Sequence, residues 1–154
     1  PEPFVWNGQN IAIQICYEDL FGEELAQRFM VEKENMPSLL VNMSNIAWFG
    51  NTVVIPQHLH IARMRSIELN RPTVRATNSG GTAIIDASGK IHAVAKPYTQ
   101  TVLVGNVPAS DGRVTWFAQW AGRWGLLPMW LFCVAVILGL SVVGQRPRPA
   151  PQGH

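Results

Sequence analysis

The stretch NIAIQICYEDLFGEELAQRF, residues 10–29, carries the change of hydrophobic period from which the fold is read. Ile11, Ile13 and Ile15 alternate with Ala12 and Gln14, the two-residue period of a strand over 10–15. From Asp19 or Leu20 the spacing lengthens: Phe21, Leu25 and Phe29 stand four apart, which predicts a helix reaching Glu32. Cys16 falls on the junction between the two. A thiol at a strand-to-helix turn is exposed beside the next backbone N–H, an oxyanion donor, and the helix N-terminus favours thiolate. A buried structural cysteine is the alternative, and position alone leaves both open. Glu18 adds an acid beside the thiol, whereas Asp19 is expected to cap the helix or to serve in its first turn.

Working outward, Ser38–Met43 reads as a short buried strand and Ser44–Thr52 as a loop rich in Asn, Ser and Gly. Asn42, Ser44, Asn45, Trp48, Phe49 and Asn51 bring polar groups and two aromatics to that strand end, where sites are often lined. A second helix is predicted over Ile55–Asn70, with Leu59, Ala62 and Leu69 inward and Pro72 ending it. Strands are expected at Thr73–Thr77, Thr82–Asp86, Ile91–Val94 and Thr101–Val107, with a turn at Asp86–Lys90 in which Gly89 supplies a positive φ. Gly80-Gly81 reads as a turn admitting close backbone approach. The order β-α-β-α-β-β-β indicates a layered α/β fold.

The 154 residues are 47% apolar and only 14% charged, against roughly 25% charged in ordinary soluble domains. The net charge of +2 resides in Arg146 and Arg148, so no basic face exists for nucleic acid. Trp124–Gly144 is 21 residues without a charge. As a helix it would cover about 30 Å, the thickness of a bilayer's hydrocarbon core, so a transmembrane helix is expected there. Trp120, Trp124 and Trp130 gather at its start, where indoles favour the membrane interface, and Pro128 falls in its first turn. Cys133 lies within this span and reads as a small apolar residue, which leaves Cys16 a free thiol. His58 and His60, two apart on a helix, point to different faces, and no metal site is expected. Arg63, Arg65, Glu68 and Arg71 read as a solvated or ion-paired helix face. The sequence lacks a Walker loop, a GxGxxG and a serine-centred elbow.

Residues Ile15-Cys-Tyr-Glu18, Leu40–Gly50 (LVNMSNIAWFG), Gln57-His58, Ala62–Glu68 (ARMRSIE) and Arg71–Gly80 (RPTVRATNSG) together resemble the carbon–nitrogen hydrolase, or nitrilase-like, family. Within it they are most similar to the apolipoprotein N-acyltransferases of the bacterial inner membrane. The resemblance implies a four-layer αββα sandwich, here a partial one, followed by one C-terminal transmembrane helix. It divides the chain into part of the hydrolase domain (1–118), a transmembrane helix with its aromatic interface segment (119–144) and a Pro/Arg tail (145–154). It makes Cys16 the nucleophile, with Tyr17 supplying the oxyanion N–H and Glu18, Asn45 and Trp48 supporting the site. The implied reaction moves a fatty acyl group from phospholipid onto the N-terminal cysteine amine of an apolipoprotein through a thioester, with no cofactor. The implied location is the inner membrane, with the catalytic domain periplasmic and the tail cytoplasmic. The family's base Glu and its Lys both precede the nucleophile at a distance, whereas only Glu2 and no lysine precede Cys16 here. The chain is therefore expected to be a C-terminal portion of the enzyme, inactive alone and with a sheet face uncovered. A membrane-tethered amidase and a non-catalytic anchored remnant are the alternative readings.

Overall fold

The computed structural model describes residues 4–144, so Glu2 and the 145–154 tail with Arg146 and Arg148 lie outside the described residues. Six strands form one mixed sheet in sequence order: β1 (Phe4–Trp6), β2 (Gln9–Ile15), β3 (Leu39–Ser44), β4 (Thr73–Thr77), β5 (Ala83–Ile85) and β6 (Ile91–Val94). β2, β3 and β4 run parallel, and β1, β5 and β6 are antiparallel to their neighbours. The parallel pairs need helical crossovers. Helix α1 (Gly22–Gln27) lies between β2 and β3, and α2 (Val54–Leu69) between β3 and β4. Strand β1 was not expected from the sequence; it is three exposed residues (FVW) whose alternation is too short to register.

Strand alternation sends Ala12, Gln14, Leu40, Asn42, Thr73 and Arg75 toward the helices, where all are buried. The core there joins Ala12 and Leu40 to Leu25, Ala26 and Phe29 after β2, to Leu69 of α2, and to Ala118 and Ala121 of α3 (Trp116–Trp124). Ile11, Ile13, Ile15, Leu39, Val41, Met43, Val74 and Ala76 share the opposite face. Ile15 and Met43 are about half exposed there, and no helix covers that side among the described residues.

Three expectations change. The helix expected from Asp19 to Glu32 is a 3-10 turn over Cys16–Leu20, then only Gly22–Gln27. The break lies at Phe21, whose φ of −99° and ψ of 81° are not helical, and it frees Asp19 to turn inward. The strand expected at Thr101–Val107 does not form: Val102 and Val104 are over four-fifths exposed, and the segment pairs with no strand among the described residues. The segment instead passes over the face of the sheet at Ile84 and not alongside an outer strand; a Cβ on Gly105 would come within 2.9 Å of the Ile84 side chain. The uncharged stretch is not one helix from Trp124. Trp124 ends α3, Gly125 takes a φ of 54°, and α4 covers Leu127–Gly144 with Pro128 in its first turn. Among the described residues no single helix is long and apolar enough to cross a membrane; α3 and α4 meet that test only together, bent by 77°. Helix α3 runs across the expected boundary at residue 118, with both buried alanines in the domain core.

The inward face of the second helix and the Asp86–Lys90 turn are as expected. Helix α2 buries Ala62 and Leu69, and Leu59 packs against the neighbouring cluster. Gly89 closes its turn at a φ of 79°, donating its N–H to the Asp86 carbonyl at 2.9 Å.

Candidate active site at the strand ends

Cys16 stands where β2 stops, with a φ of 55° that non-glycine residues seldom adopt. A residue held there needs its surroundings to hold it. Two side chains of β3 do so: Asn42 Nδ2 donates to the Cys16 carbonyl at 3.1 Å and Ser44 Oγ lies 3.4 Å from it. Ser44 Oγ also donates to Asn42 Oδ1 at 2.5 Å, which locks the amide. From the other side, Glu18 Oε2 accepts the Ile15 N–H at 2.7 Å. Glu18 thus braces the backbone on one flank of the thiol, and Asn42 and Ser44 on the other. Cys16 itself is half-buried and free of any disulfide.

Tyr17 is exposed, its ring edge-on to Phe21 at 6.3 Å. As an opening residue of a 3-10 turn it has a backbone N–H without an intrahelical acceptor, the geometry an oxyanion donor needs. Asn45 follows β3 directly: its Oδ1 accepts from Ala47 N and from Asn78 Nδ2, the latter at 2.7 Å. Asn78 Oδ1 in turn accepts the Ile46 N–H at 3.2 Å. The loop after β3 is thereby fastened to the loop after β4. Trp48 sits in the 3-10 turn Ala47–Phe49 and is 84% exposed, so it shares the sheet end without packing against Cys16. The structure therefore brings Cys16, Tyr17 and Glu18 to the carboxyl end of β2 and Asn45 to that of β3, with Asn78 at the end of parallel β4, the usual ligand side of such sheets.

Behind the thiol lies a feature that sequence reasoning missed. Asp19 does not cap a helix; its carboxylate is completely buried and meets Arg75 Nη1 of β4 at 2.5 Å. Arg75 Nη2 donates to His58 Nδ1 of α2 at 3.3 Å. Burial pushes the Asp19 carboxyl above its ordinary value, and Arg75 opposes that shift. Burial, then the Arg75 charge, pushes His58 down, which suits an imidazole that accepts from a guanidinium. Asp19 Oδ1, Arg75 Nε and Gln14 Nε2 are buried without partners among the described residues, so the cluster is tightly placed but incompletely satisfied. The available signal was an arginine inside the apolar strand TVRAT, alternating in phase with Thr73. Arg71 also departs from expectation. Arg65 and Glu68 pair at 2.7 Å, but Arg71 lies beyond the helix, buried. There it donates to the carbonyls of Pro37, Asn70, Gly112 and Arg113, above the Phe29 ring.

The model of the family described as carbon–nitrogen hydrolase matches residues 2–115. The chain belongs to that family. It is similar to the apolipoprotein N-acyltransferase of Verminephrobacter eiseniae, 52% identical over 130 residues that make up 80% of this chain and 24% of that protein. It is also similar to the apolipoprotein N-acyltransferase of Chromobacterium violaceum, 40% identical over 95% of this chain and 26% of that protein. The chain thus spans about a quarter of the length of the curated relatives it matches. Among solved structures, a carbon–nitrogen hydrolase superfamily protein from Xanthomonas campestris superposes with a TM-score of 0.51 at 17% identity. That match covers 80% of this chain and 48% of that one, and it supports the hydrolase fold alone. The six-stranded mixed sheet with helices on one face is a partial form of that fold.

Proposed function

We propose that this chain carries the nucleophile of an acyl-transferring carbon–nitrogen hydrolase that moves a fatty acyl group from phospholipid to the N-terminal cysteine amine of apolipoproteins. The observation that carries this reading is the Cys16 elbow, with its carbonyl held by Asn42, whose amide Ser44 fixes, and the preceding N–H held by Glu18. The identity with two N-acyltransferases supports the choice of reaction. In that reaction the Cys16 thiolate adds to the ester carbonyl of the phospholipid, and the Tyr17 N–H stabilises the oxyanion. Collapse expels the lysophospholipid alkoxide, which takes a proton, and leaves a thioester. The acceptor amine then attacks the thioester and releases the thiol. Asn45 and Asn78 fasten the neighbouring loop in place, and exposed Trp48 offers an apolar surface to an acyl chain.

Helix α4 supports a membrane setting. It carries no charge, and its side chains from Met129 to Leu140 lie open to the surroundings instead of packing on the domain. Our reading is that it spans the inner membrane, with the catalytic domain periplasmic and the tail inside. Because the chain matches about a quarter of the length of its N-acyltransferase relatives, we assign the base and the lysine partner of Cys16 to the remainder of the enzyme.

The test uses the enzyme that contains this chain and phosphatidylethanolamine labelled in its acyl group. A hydroxylamine-labile label on Cys16, lost in C16S and chased onto a lipoprotein peptide, is the expected result. Hydrolysis of short amides without acyl transfer would overturn the reading in favour of an amidase. The isolated chain should form no thioester, and robust acylation of it would refute the assignment of base and lysine elsewhere.

A further inference from the structure

Trp116, Trp120 and Trp124 stand four residues apart on α3 and are 88%, 43% and 57% exposed. Their stripe is set by what the other side of the helix does. Ala118 and Ala121 are fully buried in the core with Leu25 and Ala26 of α1. A Cβ on Gly122 would fall 2.6 Å from the Ala26 carbonyl oxygen, so the two backbones touch. Packing therefore fixes the rotation of α3 and sends three indoles outward, with Arg123 flanking them. The Thr115 hydroxyl anchors the helix start, accepting the Ala118 N–H at 3.0 Å and donating to the Glu68 carbonyl. At Gly125 the axis bends by 77° into the uncharged α4.

We propose that α3 lies in the plane of the bilayer surface, with Trp116, Trp120 and Trp124 at the boundary between headgroups and acyl chains. The proposal rests on the reading of α4 as a membrane helix and adds an orientation to it. A near-right angle between a helix that enters a bilayer and its predecessor lays that predecessor along the surface. Indoles are the side chains best suited to this boundary, and a basic residue beside them meets the phosphates. The continuity of the stripe with α4 makes lipid the occupant. Because α3 is seated on α1, and α1 follows directly from the Cys16–Leu20 turn, the nucleophile is held at a set height above the lipid whose ester it attacks.

The depths of the indoles distinguish this arrangement. Trp116 and Trp124 are eight residues apart, about 12 Å along a helix axis. In the plane they share one depth; on a helix continuing straight into the membrane their depths would differ by nearly that length. The full chain is placed in phosphatidylethanolamine–phosphatidylglycerol nanodiscs containing lipids brominated at shallow or deep acyl positions, using single-tryptophan variants with the remaining indoles changed to phenylalanine. All three indoles should be quenched by the shallow bromines to within about twofold of one another, and I137W, in a tryptophan-free background, by the deep ones. If I137W is quenched but Trp116 is not, or if Trp116 and Trp124 differ by the full helix length, the surface arrangement is overturned while the membrane helix stands. If I137W is also unquenched, both readings fail. 5-Fluorotryptophan incorporated into the unsubstituted chain, with paramagnetic lipids and 19F detection, reads the same depths should the multiple variants not fold.

Discussion

Replacing Arg75 with Met tests the buried network behind the Cys16–Leu20 turn. The guanidinium lies 2.5 Å from the Asp19 carboxylate, and neither side chain reaches solvent. Removing one member of such a pair strands the other charge, and the cost is about 3–5 kcal/mol. Its size should depend on pH in a definite direction. Burial already raises the Asp19 carboxyl, and without Arg75 nothing on β4 opposes the rise. In the variant the folded-state value stands well above the unfolded one of about 3.9. Such a group holds more protons when folded than when unfolded, so stability falls as pH rises from about 4 through the folded value. The deficit of R75M relative to the unsubstituted chain should be smaller at about pH 4.5 than at about pH 7.5. Urea unfolding of the full chain in detergent micelles, followed by near-UV circular dichroism at both pH values, measures it. The double variant D19L/R75M, which removes both charges, should recover most of the loss. A loss below about 1 kcal/mol at pH 7.5, or a deficit that does not change with pH, would refute the reasoning.

Other outcomes follow from single contacts. Arg71→Lys keeps the charge but loses the fork that reaches four carbonyls and the stacking on Phe29. It should cost about 2–4 kcal/mol in the same unfolding assay. Gly122→Val inserts atoms where the α1 backbone already stands, so it should destabilise by about 1–3 kcal/mol and raise hydrogen exchange across Trp116–Trp124. The Asp111 carboxyl accepts from Asn70 Nδ2 and from the Arg113 N–H and Nε, and these bonds hold it down at about 2. Its contribution is therefore present above its unfolded value of about 3.9 and lost as pH falls toward 2. Carboxyl 13C titration should find that low value, and N70A should move it upward.

Much of the fold was legible because it is decided locally. The alternation Ile11–Ile13–Ile15, the helix ended by Asn70 and Pro72, the Asp86–Gly89 turn and the uncharged run of α4 are each written in neighbouring residues. The candidate site could be placed in part for the same reason: Cys16, Tyr17 and Glu18 are contiguous at the end of a strand and followed by polar residues. What stayed hidden depends on residues far apart in the chain. Asp19 looks like a helix-capping acid until Arg75, 56 residues later, arrives on the third parallel strand and takes its carboxylate inward. Arg71 reads as a helix-face cation, yet carbonyls from Pro37 and the 112–113 turn enclose it. Thr101–Val107 has the pattern of a strand, yet it crosses the sheet face at Ile84 and pairs with no strand among the described residues. The uncharged run promised one straight helix, and the docking of Ala118, Ala121 and Gly122 on α1 instead fixed a separate helix and turned the chain at Gly125. Sequence by itself determined periods, turns and the position of the thiol, because those are set by a residue and its near neighbours. Only the tertiary structure decided which charges are buried together and which way the aromatic stripe faces. Those outcomes depend on desolvation and packing between segments that meet only once the sheet has formed.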